Sequence, residues 1–222
     1  GNKGTFGKVL AVAGSPGMCG AAFFCGAWAF ASGAGMVRIF TPEENRIPLQ
    51  ILLPEAIVTC DKGEEAMEAV FRWCDVLIIG PGLGTSGESA EKAIWFLKKA
   101  FQEKKPVILD ADGLNLLAGN PDWKMFLGEN VIVTPHMGEM SRLTGKSLEE
   151  IKKNRIEAAV SYAEETGTVC VLKDACTVTA GPDGEAFINL SGNSGMGAAG
   201  SGDVLCGVLA GMACMFRNSP EG

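Results

Sequence analysis

Short apolar runs alternate with longer helical patterns along most of the chain, and this alternation limits the fold more than any other sequence feature. The runs are near-continuous in Val, Ile and Leu, as in Asp75–Ile79, which is typical of parallel strands covered on both faces. We therefore predict an α/β fold with a mostly parallel central sheet and helices on both faces. The predicted strands are 8–13, 36–40, 54–59, 75–79, 106–109, 131–133 and 168–172, followed by a hairpin of 177–180 with 185–189; the main predicted helices are 20–32, 64–73, 88–104, 149–165 and 204–215.

Unusual loops follow the predicted strands. They contain glycines, acidic residues and the only histidine of the chain. Because the carboxyl ends of parallel strands share one edge of a sheet, and ligands of such folds bind beyond that edge, we expect these loops to build one site. The loops are 14–20, 80–84, 110–113, 134–139, 173–177 and 192–203.

The last of these loops, 192–203, leads directly into an apolar helical pattern. Gly200, Ser201 and Gly202 precede or open this helix, whose free N–H groups and positive dipole end favour a bound anion. Asp203 falls in the first turn, where a carboxylate beside a phosphate suggests a base for phosphoryl transfer. We predict Asp203 as the general base and Gly200, Ser201 and Gly202 as an anion hole. The alternative is a glycine-rich turn in which Asp203 only compensates the helix dipole.

Four residues in the other loops are further candidates. His136 follows a proline at a strand end, where it is either a substrate contact or a histidine bonded to nearby backbone. Asp110 and Asp112 are candidates for binding Mg²⁺ through water, although Asp112 is also placed to cap the next helix. Lys173 is either a nucleotide contact or a solvated charge.

Composition excludes several classes of function. The 222 residues carry a net charge of −7, with no basic block and only 7% aromatic residues, which argues against a nucleic-acid partner. No apolar stretch is long enough for a membrane span. Eight cysteines without a C-x-x-C pair are interpreted as free thiols in a reducing cytoplasm. We predict one domain, residues 1–222, and the sequence leaves open whether it is part of a longer protein.

An ordered set of short motifs resembles the ADP/ATP-dependent NAD(P)H-hydrate dehydratase family, which has the ribokinase-like fold. The resemblance implies a three-layer sandwich and covers nearly the whole chain. The matching segments are 2–7, Gly14-Ser15 with Gly20-Ala21, 32–35, 80–84, 109–115, 134–140, 171–173 and 200–205.

The resemblance also implies an activity, the repair of the S-epimer of hydrated NADH or NADPH (NADHX or NADPHX). ADP or ATP would phosphorylate the ring hydroxyl, Mg²⁺ would assist, and loss of phosphate would restore the dihydropyridine. Carried over by position, Asp203 is the base and contacts the substrate. The hydrate pocket would also contain Ala21, Gly84 and His136, and the nucleotide would contact Gly202 with Lys173, Asp174, Ala175, Cys176 and Thr177.

The family also suggests how this domain is used. We expect a cytoplasmic homo-oligomer, fused to or paired with an epimerase domain. Family members normally continue beyond the position of residue 222 with further helices, which we expect this chain to lack.

Two departures from the family pattern bear on function. Asp174 stands where the family usually has glycine, which adds negative charge near a nucleotide phosphate, and Ala198-Ala199 replaces the usual Thr-Gly of the anion loop. Two other functions therefore remain open: a kinase of the same fold acting on a vitamin precursor or sugar alcohol, and an inactive nucleotide-binding module.

Overall fold

A single nine-stranded sheet forms the centre of the computed structural model, which describes residues 6–192 and 197–217. The strand order is β3-β2-β1-β4-β5-β6-β7-β8-β9. All neighbouring pairs from β3 to β7 are parallel, whereas the pairs β7–β8 and β8–β9 are antiparallel. The strands are β1 (Lys8–Val12), β2 (Met36–Thr41), β3 (Ile57–Cys60), β4 (Val76–Ile79), β5 (Val107–Leu109), β6 (Val131–Val133), β7 (Val169–Leu172), β8 (Val178–Ala180) and β9 (Ala186–Ile188).

Helices cover both faces of this sheet. Val9 and Ala11 of β1 pack in one core with α1 and α9, whereas Leu10 and Val12 pack in a second core on the other face. The alternation confirms the predicted three-layer arrangement. The helices are α1 (Cys19–Ala31), α2 (Arg46–Leu52), α3 (Glu64–Trp73), α4 (Gly87–Glu103), α5 (Asp112–Gly119), α6 (Met137–Thr144), α7 (Leu148–Lys153), α8 (Arg155–Thr166) and α9 (Ser201–Arg217).

One helix prediction differs from the structure, and one helix, α2, was not predicted. The long helix predicted over 149–165 is two helices, α7 and α8, which meet at Asn154 (φ −126°, ψ 47°). The apolar periodicity continues across the break because Ile151 and Ala158 are both buried, so the sequence pattern conceals it. Helix α2 carries Pro48 in its first turn, a position where a proline is tolerated because its missing N–H needs no partner there.

The predicted convergence of the loops is confirmed for the described residues. Strands β1, β4, β5, β6 and β7 are parallel, and β9 runs in their direction because it is antiparallel to β8. Their carboxyl ends therefore lie along one edge of the sheet. Residues 193–196 of the last loop and 2–5 of the first matching motif lie outside the described residues. No helix in the described part of the chain is both long and apolar enough to cross a membrane.

Helix α9, which carries Asp203, packs tightly on α1. A Cβ atom added to Gly207 would lie 2.5 Å from the carbonyl oxygen of Cys25, and one added to Gly211 would lie 2.7 Å from that of Ala29. Both glycines thus allow the two backbones to approach within a distance that any side chain would prevent. This contact fixes the position of the helix that begins at the predicted anion loop.

We expect Gly207→Ala to lower the free energy of unfolding by about 2 kcal/mol, because the added methyl group overpacks the α1–α9 contact. Gly20→Ala in α1 is the matched control. Within residues 6–192 and 197–217, no atom lies within 4 Å of its added Cβ, so it should raise stability by about 0.5–1 kcal/mol through helix propensity. Urea unfolding of the two variants measures both values, and equal stability would contradict the tight packing.

Candidate active site

An ion pair between a half-buried lysine and a buried aspartate joins the carboxyl ends of β5 and β7. Lys173 Nζ donates to Asp110 Oδ1 at 2.7 Å, and the Asp110 side chain is only 2% exposed. The Lys173 backbone N–H also donates to the carbonyl of Pro135 at 2.8 Å, which ties the end of β7 to the loop after β6. The Asp110–Lys173 pair is therefore held by three neighbouring strands.

The N-terminal turn of α9 lies against this ion pair. Cys206 Sγ donates to Asp110 Oδ2 at 3.1 Å, so both oxygens of that carboxylate have a donor. A Cβ atom on Gly202 would lie 3.5 Å from both Asp110 Oδ2 and Lys173 Nζ. Gly202 and Lys173, which were predicted as nucleotide contacts, are thus adjacent in the structure.

Asp203 lies in the first turn of α9, as predicted. Burial and the Asp110 carboxylate raise its pKa to about 6, although the Lys173 ammonium lowers it. A carboxylate with this pKa is ionised at neutral pH and is a stronger base than an ordinary aspartate. The environment of Asp203 is therefore suited to removing a proton from a hydroxyl.

The predicted anion hole is only partly available. The N–H of Ser201 donates to the carbonyl of Ala198 at 3.2 Å, inside the loop itself. The Gly200 carbonyl accepts the first helical bond, from Val204 at 2.9 Å, which places the N–H groups of Gly202 and Asp203 in the open first turn. An anion at this helix end would therefore meet Gly202 and Asp203 rather than Ser201.

Gly200 has a role beyond the predicted anion contact. Its φ of 87° lies in the region that favours glycine, and a Cβ atom there would lie 2.8 Å from the ring of Phe24. The loop can therefore turn into α9 beside α1 only because this position lacks a side chain.

His136 caps helix α6. Its Nδ1 accepts from the N–H groups of Gly138 (2.9 Å) and Glu139 (3.3 Å), and Glu139 Oε2 accepts from the His136 N–H at 2.8 Å. This reciprocal capping box confirms the interpretation of His136 as bonded to nearby backbone. Since Nδ1 accepts two bonds, the ring proton of neutral His136 lies on Nε2. The side chain is still 54% exposed at the carboxyl edge of the sheet.

Two pKa shifts accompany this cap. Burial raises the pKa of Glu139 to about 7. Burial, Lys173 and Arg142 lower the pKa of His136, so the ring is neutral at physiological pH. Glu139 is therefore a buried carboxylate that titrates near neutrality beside the Asp110–Lys173 pair.

Asp112 does not cap a helix. The N-cap position of α5 is Ala111, and Asp112 lies one residue inside the helix without a capping bond. Its Oδ2 instead accepts from the N–H of Gly84 at 2.8 Å, and its Oδ1 from Asn115 Nδ2 at 3.3 Å. The capping interpretation is wrong, because the helix begins with Asp112 already turned toward the β4 loop.

The backbone between the two aspartates is strained. Ala111 has φ 49° and ψ −119°, which is unfavourable for any residue with a Cβ atom. The Asp110 carbonyl lies so close to Gly80 that a Cβ atom there would be 2.0 Å from the carbonyl oxygen. Gly80 thus allows the β4 and β5 loops to touch, and Ala111 directs the two carboxylates to different partners.

The loop predicted to bind nucleotide begins at Lys173, where burial and the Asp110 carboxylate act in opposite directions and the pKa is raised overall. Asp174, the residue that departs from the family pattern, pairs with Arg155 of α8 at 2.7 Å. Thr177 Oγ1 donates to the Asp174 carbonyl at 3.4 Å. The extra negative charge of Asp174 is therefore matched by a cation of the same chain.

Two cavities lie in different parts of the molecule. One of about 320 Å³ adjoins the Lys173–Thr177 loop and is lined in part by Arg155 and Cys176. The larger one, about 540 Å³, lies at the amino ends of β2 and β3 and includes Met36 and Ile57. Because the catalytic candidates lie at the carboxyl edge, the larger cavity is not part of this site.

The model of the NAD(P)H-hydrate dehydratase family matches residues 9–221 of this sequence. The chain belongs to the NAD(P)H-hydrate dehydratase family. The match includes every strand from β2 to β9 and helix α9. It confirms the family predicted from the ordered motifs.

Curated relatives of the family are similar over nearly the whole chain. The ADP-dependent (S)-NAD(P)H-hydrate dehydratase of Bacillus subtilis is 40% identical over 222 residues, 98% of this chain and 76% of the relative. A bifunctional NAD(P)H-hydrate repair enzyme of Escherichia coli is 42% identical over 212 residues, 94% of this chain. The chain spans only 39% of that enzyme and 41–42% of two other bifunctional relatives.

A solved structure shows the same architecture. The ADP/ATP-dependent NAD(P)H-hydrate dehydratase of Bacillus subtilis, co-crystallized with ATP/Mg²⁺, superposes with a TM-score of 0.79 at 35% identity, covering 96% of this chain and 74% of that one. A ribokinase-like superfamily protein from Enterococcus faecalis gives a TM-score of 0.87 at 29% identity, with 96% and 73% coverage. The predicted ribokinase-like three-layer sandwich is confirmed.

The Asp110–Lys173 pair predicts a large energetic coupling. We expect Lys173→Met to lower the free energy of unfolding by about 3 kcal/mol, because it leaves the Asp110 carboxylate buried without its cation. Adding Asp110→Asn should recover most of this loss. A double-mutant cycle by urea unfolding measures the coupling.

Lys124→Met provides the control. Its partner Glu165 is 2.8 Å away but 61% exposed, and such a surface pair is worth about 1 kcal/mol or less. A loss at Lys173 no larger than the loss at Lys124 would show that the buried pair contributes no special stability.

Proposed function

We propose that this chain catalyses the nucleotide-dependent dehydration of the S-epimer of NAD(P)H hydrate to NAD(P)H. The observation that carries the proposal is the juxtaposition of Asp203, a base with a pKa of about 6, with Gly202 and Lys173 at one helix N-terminus. A hydroxyl to be deprotonated and a phosphoryl group to be received would meet there. Membership of the dehydratase family and the similarity to the Bacillus subtilis dehydratase support this assignment.

The chemistry would proceed in two steps. Asp203 would take the proton from the ring hydroxyl of the hydrate while that oxygen attacks the terminal phosphoryl group of ADP or ATP, releasing AMP or ADP. The lone pair of the ring nitrogen would then expel phosphate and form an iminium ion. Loss of a proton from the adjacent ring carbon would restore the dihydropyridine. The protein must supply mainly positioning and charge stabilisation, because a phosphorylated hemiaminal eliminates readily.

The nucleotide would bind between Gly202 and the loop of Lys173, Asp174, Ala175, Cys176 and Thr177. Lys173 would bring a positive charge beside the N-terminus of α9, where the open N–H groups of the first turn stabilise phosphate. The Arg155–Asp174 pair reduces the repulsion that Asp174 would otherwise exert on a polyphosphate. The hydrate would lie on the other side of Asp203, against Ala21, Gly84 and His136.

The donor set fits a magnesium ion that arrives with the nucleotide. No group of three or more His, Cys, Asp or Glu side chains within residues 6–192 and 197–217 is arranged to hold a metal by itself. Both oxygens of Asp110 are already engaged, so Glu139 is the better protein ligand, directly or through water. Mg²⁺ commonly combines one or two carboxylates with phosphate oxygens, and it would neutralise phosphate charge here.

The partners of the domain follow from its relatives. Bifunctional relatives are more than twice as long as this chain, which supports fusion to or pairing with an epimerase that supplies the S-epimer. We also propose a cytoplasmic homo-oligomer.

The activity is tested by incubating the protein with NADPH hydrate, Mg²⁺ and either ADP or ATP. Recovery of reduced-nicotinamide absorbance with release of free phosphate is expected, whereas a kinase would release a stable phosphorylated product. Asp203→Asn should lower turnover by about 10²–10⁴-fold, because the amide cannot accept the proton. Absence of recovery with either nucleotide would contradict the proposal, and nucleotide binding without turnover would indicate an inactive binding module.

The pH dependence should report the ionisation of Asp203. Because the base must be unprotonated, kcat/KM should fall about tenfold for each pH unit below about 6 and level off above it. The residual activity of Asp203→Asn should lack this limb. Glu139→Gln removes the titration of Glu139 near pH 7 and so distinguishes it from that of Asp203. If Asp203→Asn kept the fall in kcat/KM at low pH, that fall would belong to a group other than Asp203.

The same shift predicts the sign of a stability change. Folding raises the pKa of Asp203 from 3.8 to about 6, so its contribution is fully present below pH 3.8 and is lost as the pH rises through 6. Asp203→Asn should therefore be more stable than the parent at pH 8 but not at pH 4, by about 1–2 kcal/mol once the shift is discounted for the solvent screening of a partly exposed group. Urea unfolding at the two pH values measures the difference.

A further inference from the structure

Asp112 lies at the centre of a hydrogen-bonded chain that the phosphoryl-transfer chemistry does not explain. One carboxylate oxygen accepts from the Gly84 N–H at 2.8 Å, and the other accepts from Asn115 Nδ2 at 3.3 Å. The sequence separation between Asp112 and Gly84 is 28 residues. Asp112 therefore connects the loop after β4 with the start of α5.

Asn115 extends this chain to the histidine loop. Its Oδ1 accepts from Arg142 Nε at 3.0 Å, and Arg142 belongs to α6, the helix that His136 caps. A Cβ atom on Gly138 would lie 2.9 Å from the His136 ring and 3.7 Å from Arg142 Nη1. Arg142 thus lies beside the cap and joins it, through Asn115 and Asp112, to Gly84.

The role of every group in this hydrogen-bonded chain, as donor or as acceptor, is fixed. A guanidinium only donates and a carboxylate only accepts, so the amide of Asn115 must direct its oxygen toward Arg142 and its NH₂ toward Asp112. The single N–H of Gly84 is already donated to Asp112. Gly84 can therefore offer a ligand its carbonyl oxygen and its Cα surface.

Gly84 needs such an anchor. Its φ of 80° lies in the region that favours glycine, and an added Cβ atom would contact only one atom of the described residues, Ser89 Oγ at 3.7 Å. Packing alone therefore does not fix this residue. The preceding carbonyl, that of Leu83, accepts from Ser89 Oγ at 2.9 Å, so the hydrogen bonds to Ser89 and Asp112 hold the end of the loop.

We infer that Asp112 is a positioning residue for the hydrate pocket, because it holds Gly84 and, through Asn115 and Arg142, sets the spacing between Gly84 and His136. The inference rests on the proposed function, which places the hydrate between those two loops. Asp112 itself touches no reacting atom. It acts by keeping the substrate hydroxyl at a fixed distance from Asp203, where small displacements cost rate.

An exchange of side chains between two positions tests the inference. Asp112→Asn directs an NH₂ group at the NH₂ group of Asn115. Asn115→Asp places two carboxylates face to face. Each single variant therefore removes the hydrogen bond between positions 112 and 115. The double variant Asp112→Asn/Asn115→Asp restores it with unchanged net charge. Its amide at position 112 would accept from the Gly84 N–H and donate to the carboxylate at position 115, which would also accept from Arg142.

We expect each single variant to lower kcat/KM for the hydrate about tenfold or more, with the KM for nucleotide changed less than twofold, and the double variant to recover most of the loss. Amide hydrogen exchange at Gly84 should be faster in the single variants and slow again in the double variant. Asp122→Asn is the control, because Asp122 is exposed and takes no part in the hydrogen-bonded chain of Gly84, Asp112, Asn115 and Arg142. It should change neither kcat/KM nor the exchange rate at Gly84.

Four outcomes are distinguishable. Single variants with parent-like kcat/KM for the hydrate would overturn the inference while the proposed function stands. Loss of activity in proportion to a lowered melting temperature, without recovery in the double variant, would also overturn it in favour of a general structural role. A parent protein without turnover would overturn the proposed function and, with it, the role in catalysis. Unchanged Gly84 exchange in the single variants would then also remove the positioning role.

Discussion

The ion pair of the buried Asp110 and the half-buried Lys173 is the interaction on which the site depends. Removing two charges from water is costly, and a buried pair is often no more stabilising than apolar residues of the same size. Its effect is instead geometric, because it fixes the ends of β5 and β7 against the first turn of α9. Burial is the main cause of the raised pKa of Asp203, and the same pair contributes to it, since Asp110 raises this pKa and Lys173 lowers it. The pair therefore contributes to both the position and the basicity of the proposed base.

Backbone constraints place this pair where it can act. Ala111 adopts a strained conformation directly after Asp110, and Gly80 accepts a contact with the Asp110 carbonyl that excludes any side chain. Such strain persists only where the surroundings determine it from several sides. Here the surroundings are the β4 loop, the start of α5 and helix α9. The strained backbone at Ala111 lowers the stability of the fold, which indicates that its conformation serves the site rather than the packing of the core.

Much of this arrangement could be predicted from sequence because it follows from local patterns. Alternating strand and helix patterns predict a parallel sheet, and a parallel sheet brings the carboxyl-end loops to one edge. The partners of individual side chains are a different problem. Cys206 and Asp110 are separated by 96 residues, and Lys173 and Asp110 by 63, so no periodicity relates them. The break between α7 and α8 is concealed because the spacing of buried apolar residues continues from Ile151 in α7 to Ala158 in α8.

One local signal for a site residue was available. The spacing of His136 and Glu139 is that of a capping box, with histidine in place of the usual serine or threonine. That substitution hides the box from a search for ordinary caps, although the glutamate at the third position indicates it. Glu139 becomes a functional candidate only through burial, which raises its pKa to about 7, and burial of a side chain in the first turn of a helix is not readable from sequence.

The charge balance of the site explains why a cation should accompany the nucleotide. Lys173 is paired with Asp110, and Arg155 with Asp174, so each of these cations is already matched by a carboxylate. Asp203 adds a further negative charge at neutral pH, and Glu139 does so as it ionises near pH 7. The N–H groups at the start of α9 supply only partial positive charge. A polyphosphate entering this site would therefore meet more negative than positive charge unless a cation such as Mg²⁺ arrived with it.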